Sequence, residues 1–316
     1  MKFTLPYLNA YNLGERMSSN YLPPPEKPYP DWSRFLKDLW MHGMSVSNIN
    51  PKRVGEHVGQ AAKAICEVFT RRNEASKVRP SAFLACARQT YYSVQGESAG
   101  KMPDNIGSTF AVGHLLHELS YAAVESALPP EFMVSTEIEV DMPAWWPKDD
   151  SKFNQTGRVD MVIRENYHGG AQKYLEGDSS NAILVDFKTM GGFSYKKHGK
   201  TVWGEDPDAF GYLAQLAVYA EALQLTGSGA IIAGINRDSL TQPLATRFIS
   251  SDTLQAELAR IQIALDMAVE GSDPGEEFLV RHGKDAYFHC GRGGKNGYCA
   301  FRRVCKENPT RDDRGE

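Results

Sequence analysis

The sequence has no long apolar runs, few cysteines and no large excess of one charge. Apolar runs such as 230–235 are far shorter than the roughly 20 residues of a membrane helix, and the first residues lack the continuous apolar core of a signal peptide. We therefore expect a cytoplasmic protein that does not enter the membrane. The balance of 35 Lys and Arg against 39 Asp and Glu excludes a globally basic nucleic-acid-binding protein, although it allows a local basic patch.

The five cysteines are odd in number and widely spaced, so they do not indicate the disulfide framework of a secreted domain. Three of them, Cys290, Cys299 and Cys305, lie in one short glycine-rich segment. That segment has little apolar content to order it, which favours a metal or cluster site. Residues 281–305 also carry six Lys or Arg against one acidic residue. Cys66, by contrast, borders an apolar helical stripe, and we expect it to be a buried small hydrophobic residue.

Hydrophobic periodicity predicts helices first and a sheet afterwards, following a Pro-rich leader in the first 30 residues. The predicted helices are 31–44, 52–74, one after Pro80, 108–127, 207–225 and 251–270, and the predicted strands are 133–141, 157–164, 182–188, 230–236 and 246–250. This order indicates an α/β fold with one central mixed sheet flanked by helices.

The most informative stretch of the chain is ILVDFKT at 183–189. Side chains alternate along a strand, so Asp186 and Lys188 point to the same side of the sheet. Upstream, GRVD places Asp160 in a second strand of mostly apolar residues. Two neighbouring carboxylates favour Mg²⁺ or Mn²⁺, and a nearby ammonium can stabilise charge on a phosphate. The spacing alone is equally compatible with a surface ion-pair cluster.

Four stretches in this order resemble the PD-(D/E)XK nuclease superfamily, and more narrowly its RecB- and AddB-like branch, which includes the CRISPR-associated RecB-like exonucleases. They are GHLLH ending at His117, GRVD ending at Asp160, VDFKT with Asp186 and Lys188, and QLAVY with Gln215 and Tyr219. The resemblance implies a restriction-endonuclease-like core in which His117, Asp160, Asp186 and the backbone carbonyl of Phe187 hold Mg²⁺ or Mn²⁺. It implies that Lys188 positions or activates the attacking water, and that Gln215 and Tyr219 order the active-site face of their helix.

The resemblance also implies an iron–sulfur cluster that joins the N- and C-terminal parts of the nuclease domain. Several members of the family ligate a 4Fe–4S cluster with one cysteine before the core and three after it. Cys86 matches the early position, and Cys290, Cys299 and Cys305 match the late ones. The gap between the first two late cysteines is eight residues, not the family's two, so His289 is an alternative to Cys290. A zinc ion on the same four sulfurs and a set of unrelated thiols are the other interpretations.

The segment after Lys188 interleaves aromatic and basic residues, which suits base stacking and phosphate contact with a single DNA strand. The candidate substrate contacts are Tyr195, Lys196, Lys197, Lys200 and Trp203. A solvated loop whose aromatic residues pack locally explains the same pattern.

Together these features predict a metal-dependent DNA exonuclease that acts on DNA ends or single strands in recombination, repair or replication, in a bacterial or phage-infected cell. We expect a helical extension at 1–78, the nuclease domain at 79–305 and a flexible tail at 306–316. DNA is the expected partner, with a homo-oligomer or a recombination or replication protein as further candidates. The alternatives are a CRISPR adaptation subunit that trims prespacers and a non-catalytic DNA-binding scaffold.

Overall fold

The computed structural model describes residues 31–45, 47–70, 77–80, 86–97, 106–165, 182–200, 211–274, 301 and 304–305. Seven α-helices lie in these ranges: α1 Trp32–Gly43, α2 Pro51–Thr70, α3 Ala87–Val94, α4 Ile106–Ala127, α5 Gly192–Lys200, α6 Tyr212–Ala222 and α7 Ser251–Glu270. The five strands there are β1 Phe132–Asp141, β2 Thr156–Glu165, β3 Ala182–Met190, β4 Ala230–Asn236 and β5 Ala245–Ile249.

The strands form one sheet in the order β1-β2-β3-β4-β5. The pair β3–β4 is parallel, and the other three neighbouring pairs are antiparallel. Helices cover both faces, so the predicted α/β class with a central mixed sheet is confirmed. Residues 166–181, which join β2 to β3, lie outside the described residues.

Two apolar layers sandwich the sheet, and we name each after its main helix. The α4 layer contains α1 and α4 together with Met161, Val185 and Phe187. The α6 layer contains α6 and α7 together with Val162 and Leu184. Alternation along β3 explains this division, since neighbouring residues of a strand face opposite layers.

Helix α1 packs directly on α4. Trp40 of α1 is 2% exposed, and its indole Nε1 donates to Ser120 Oγ at 3.0 Å. Gly43 allows the close approach of α1 to α4, because a β-carbon there would lie 1.8 Å from the Ala123 carbonyl oxygen. The two helices therefore contribute to the same core that supports β3.

Helix α5 and Cys66 differ from the sequence-based expectation. The segment after Lys188 contains α5, whose first N–H, from Gly192, is capped by Asp238 Oδ2 at 2.6 Å. Asp238 is distant in sequence, so local periodicity does not reveal this cap. Cys66, predicted to be buried, is exposed. None of the helices in the described ranges combines the length and the apolar character that a membrane span requires.

Candidate active site

The candidate site lies where β2 and β3 separate. Their pairing runs from Arg164↔Ala182 to Met161↔Val185 and ends there. Beyond this last pair, the backbone N–H of Phe187 donates to Asp160 Oδ2 at 2.7 Å, in place of a backbone acceptor on β2. The N–H and C=O of a strand residue point toward the same neighbouring strand, so the Phe187 carbonyl also faces this gap.

Along β1 and β2 the apolar side chains switch from one side of the sheet to the other, and this switch turns the Asp160 side chain into the gap. On β2, Met161 packs in the α4 layer whereas Val159 packs in the α6 layer. On β1, Val134 packs against the α4 layer and Ile138 against the α6 layer. The change falls at Asp160 and the residue across from it, Glu137, which has a left-handed φ of 51°.

His117 reaches the site from α4. Its Nδ1 lies 3.6 Å from Asp160 Oδ2, and its ring centroid lies 6.1 Å from that of Phe187. Burial, assisted by the charge of Lys188, lowers the pKa of His117 to about 4. The imidazole is therefore neutral near pH 7, which is the form that binds a metal ion.

Asp186 and Lys188 form a buried ion pair on the α6 side of β3. Lys188 Nζ donates to Asp186 Oδ1 at 2.9 Å and lies 2.8 Å from Oδ2. Oδ2 is fully buried, with the Lys188 ammonium as its neighbour. Lys188 Nζ also donates to Gln215 Oε1 at 3.0 Å and lies 5.0 Å from the ring centroid of Tyr212.

Burial and ion pairing set the protonation states of these groups. Burial raises the pKa of Asp160 and that of Asp186 to about 6, against the opposing attraction of Lys188. Burial alone would lower the pKa of Lys188, but the two carboxylates outweigh it and raise the pKa above its ordinary value. Lys188 therefore carries a positive charge and can donate hydrogen bonds at neutral pH.

Gln215 and Tyr219 line the inner face of α6. Gln215 orients Lys188 by accepting its hydrogen bond. Tyr219 is 5% exposed, its hydroxyl hydrogen bonds with the backbone of Arg158, and burial raises its pKa to about 12. Tyr219 thus supports β2 two residues before Asp160.

Three further residues complete the site and were not among the predicted ones. Tyr121 lies one turn after His117 on α4, donates from its hydroxyl to Glu137 Oε1 at 2.9 Å, and also lies near Asp160. The four-residue spacing from His117 could have revealed it. Glu137 gave no signal, since its left-handed backbone breaks the alternation of β1. Tyr212 precedes the first residue of the QLAVY motif by one turn.

The donors around the gap suit an oxygen-preferring divalent cation. The candidate ligands are the two carboxylates, the Phe187 carbonyl and the neutral imidazole of His117. Within the described ranges, no three His, Cys, Asp or Glu side chains are already gathered around one point. The contacts explain this, because Asp160 is held by the Phe187 N–H and Asp186 by Lys188. Asp186 Oδ2 lies 2.8 Å from Lys188 Nζ, so a cation at this carboxylate would share it with the ammonium.

Only part of the predicted cysteine cluster lies in the described residues. Cys86 is buried at the N-cap of α3, and its carbonyl accepts from the Gln89 N–H at 3.0 Å. Cys305 donates its N–H to the Phe301 carbonyl at 3.0 Å, and the Phe301 ring lies 6.0 Å from that of Tyr92 on α3. Phe301 therefore packs against α3. Cys290, Cys299 and His289 lie outside the described residues.

The predicted substrate contacts lie on or after α5. Lys196 is exposed, and the Tyr195 hydroxyl donates to the Pro243 carbonyl. The side chains of Lys197 and Lys200, and all of Trp203, lie outside the described residues. The role of this segment in binding DNA stays a prediction.

Comparison with known proteins adds little to this geometry. No protein-family model matches the sequence, and no curated protein matches it at a significant level. Among solved structures, SSO0001 superposes with a TM-score of 0.41 at 15% sequence identity, over 78% of this chain and 94% of that one.

Proposed function

We propose that the protein is a metal-dependent deoxyribonuclease of the PD-(D/E)XK type, with exonuclease activity on DNA ends or single strands. The observation that carries this proposal is the convergence of Asp160, Asp186 and Lys188 where β2 and β3 separate. Burying two carboxylates and an ammonium in one gap costs free energy of folding, which favours a functional role for these groups. Phosphodiester hydrolysis uses such a set.

Each residue of the site has a role that its contacts support. Asp160, Asp186, His117 and the Phe187 carbonyl would hold Mg²⁺ or Mn²⁺, which supplies Lewis-acid activation of the scissile phosphate and of a water molecule. Lys188, which is protonated, orients the water and stabilises negative charge on the phosphate by donating hydrogen bonds. Gln215 keeps the ammonium pointed toward Asp186, and Tyr219 supports the β2 backbone that carries Asp160.

The proposal includes an iron–sulfur cluster on Cys86, Cys290, Cys299 and Cys305, with zinc as the alternative metal. The packing of Phe301 on Tyr92 supports it, since this contact holds the chain just before Cys305 against the helix that follows Cys86. The cluster would then have a mainly structural role, joining α3 to the C-terminal segment.

Cleavage of end-labelled DNA tests the proposed activity. Anaerobically purified protein is mixed with single- and double-stranded DNA labelled at either end, with Mg²⁺ or Mn²⁺. We expect Asp186→Asn and Asp160→Asn each to lower the rate by at least about 10²-fold. Asp266→Asn, which changes an exposed carboxylate on α7, is the matched control and should keep the wild-type rate.

The products also distinguish the alternatives. The labelled end that is released first gives the polarity of digestion. Wild-type protein that binds DNA without cutting it under any of these conditions would contradict the nuclease proposal and favour the scaffold. Copurification with an integrase would favour the subunit that trims prespacers.

A further inference from the structure

Glu137 lies directly across from Asp160 in the β1–β2 hairpin. The pairs Thr136↔Met161 and Ile138↔Val159 flank these two residues on either side. The φ of 51° at Glu137 is unusual for a residue with a β-carbon, because the left-handed region brings that carbon too close to the following carbonyl oxygen. Such a conformation persists only where the surrounding contacts enforce it.

The contacts of the Glu137 carboxylate point to the phenol of Tyr121. Glu137 Oε1 accepts a hydrogen bond from the Tyr121 hydroxyl at 2.9 Å. Oε2 lies 3.5 Å from Arg158 Nη1, but the Arg158 side chain is mostly exposed, so this ion pair adds little stability. Tyr121 is fully buried, with its ring centroid 6.3 Å from that of His117 and 5.7 Å from that of Phe187. The phenol is therefore fixed among the candidate ligands.

The Tyr121 hydroxyl stands between two carboxylates but has one proton. It donates to Glu137 and is also within hydrogen-bonding reach of Asp160. A hydrogen bond donated to Asp160 would occupy a carboxylate lone pair that a cation needs. A hydrogen bond donated to Glu137 leaves that lone pair available.

We propose that Glu137 is a positioning residue, whose carboxylate accepts the hydrogen bond of the Tyr121 hydroxyl and so keeps the Asp160 oxygens available to a divalent cation. This inference rests on the proposed function, because it assigns Asp160 to the cation. Glu137 would then act through Tyr121, without touching the cation or the DNA.

Mn²⁺ affinity of the full-length protein, measured by calorimetry without DNA, tests the inference. We expect Glu137→Ala to weaken Mn²⁺ binding about 10-fold or more, as is usual when an outer partner of a ligand is removed. Glu137→Gly should weaken it equally while it permits the left-handed backbone, which separates the carboxylate from the conformation. Glu137→Gln, whose amide oxygen can still accept the phenol proton, should restore most of the affinity.

A double variant separates this role from simple support of the fold. Glu137→Ala with Tyr121→Phe removes the competing proton and should bind Mn²⁺ more tightly than Glu137→Ala alone. A residue that merely supported the fold would give a double variant weaker than either single one, and that result would overturn the inference. Wild-type affinity in Glu137→Gly would overturn it as well.

The same experiment distinguishes this inference from the proposed function. Mn²⁺ binding that is absent from the wild type, or unchanged by Asp160→Asn, would contradict both. Binding that requires Asp160 but is the same in every Glu137 variant would contradict only the inference about Glu137.

Discussion

The ring of Tyr219 packs against Gly157, so closely that a β-carbon on Gly157 would stand 2.5 Å from Tyr219 Cε1. This contact sets the distance between α6 and β2, three residues before Asp160. The glycine of the GRVD stretch therefore has a packing role that the sequence pattern alone does not reveal.

Gly157→Ala should push Tyr219 away from β2 and disturb the site. We expect a loss of about 1–3 kcal/mol in the free energy of unfolding, as for other overpacked cores, and a larger loss in cleavage rate than in DNA affinity. Urea unfolding and single-turnover cleavage measure the two effects. Gly59→Ala on α2, where a β-carbon meets nothing within 4 Å, is the control and should not lower either quantity. Equal cleavage by both variants would show that the Tyr219 contact is not needed.

Lys188→Ala should abolish cleavage while DNA binding and any bound iron remain. The ammonium is the donor that the proposed chemistry requires, and its contacts are with Asp186 and Gln215 inside the site. Single-turnover cleavage and a separate DNA-binding titration measure the two properties. Lys63→Ala removes an exposed lysine on α2 and serves as the control for a general loss of positive charge. Cleavage retained in Lys188→Ala would remove this residue from the mechanism.

The sequence predicts those parts of the fold that depend on local patterns. Periodicity places β2 at 157–164 and β3 at 182–188, within two residues of their observed ends. Alternation also puts Asp186 and Lys188 on one side of β3, and the structure joins them in an ion pair. These features follow from neighbours in the chain.

Features that depend on distant partners could not be predicted in this way. Helix α5 is capped by Asp238, which lies 46 residues after Gly192. The left-handed backbone of Glu137 is enforced by tertiary contacts with Tyr121. For this reason the sequence does not reveal that the Asp160 side chain turns into the gap. The exposure of Cys66 likewise reflects which face of α2 meets α4, and an apolar stripe only approximates that face.

Cys86→Ala should lose iron and stability together, whereas Cys66→Ala should lose neither. Cys86 is buried beside α3, while Cys66 is exposed on α2, so the two substitutions differ in position and not in chemistry. Iron, sulfide and zinc are measured in anaerobically purified protein, together with the visible absorbance and the unfolding midpoint. Cys299→Ala should behave as Cys86→Ala does. Unchanged iron in both variants would contradict the cluster, and zinc in place of iron would select the alternative metal.

His57 of α2 should make the stability of the protein depend on pH through its contact with α4. The imidazole is 4% exposed, with Nδ1 2.6 Å from Glu118 Oε2 and Nε2 3.4 Å from Glu125 Oε2. The hydrogen bond with Glu118, followed by that with Glu125, raises the pKa of His57 from 6.5 to about 9. Glu118 is adjacent to His117 in sequence, so the pair fixes the turn of α4 that carries the candidate ligand.

Because folding raises the pKa of His57, the protonated imidazole paired with Glu118 stabilises the native state. This stabilisation is fully present below about pH 6.5 and is lost as the pH rises through about 9. Urea unfolding at several pH values should show wild type more stable than His57→Gln by about 2 kcal/mol near pH 6, with the gap narrowing toward pH 10. His114→Gln, which changes a partly exposed histidine on α4, should not reproduce this pH dependence. A gap that stays constant across the range would mean that His57 acts through packing and not through its charge.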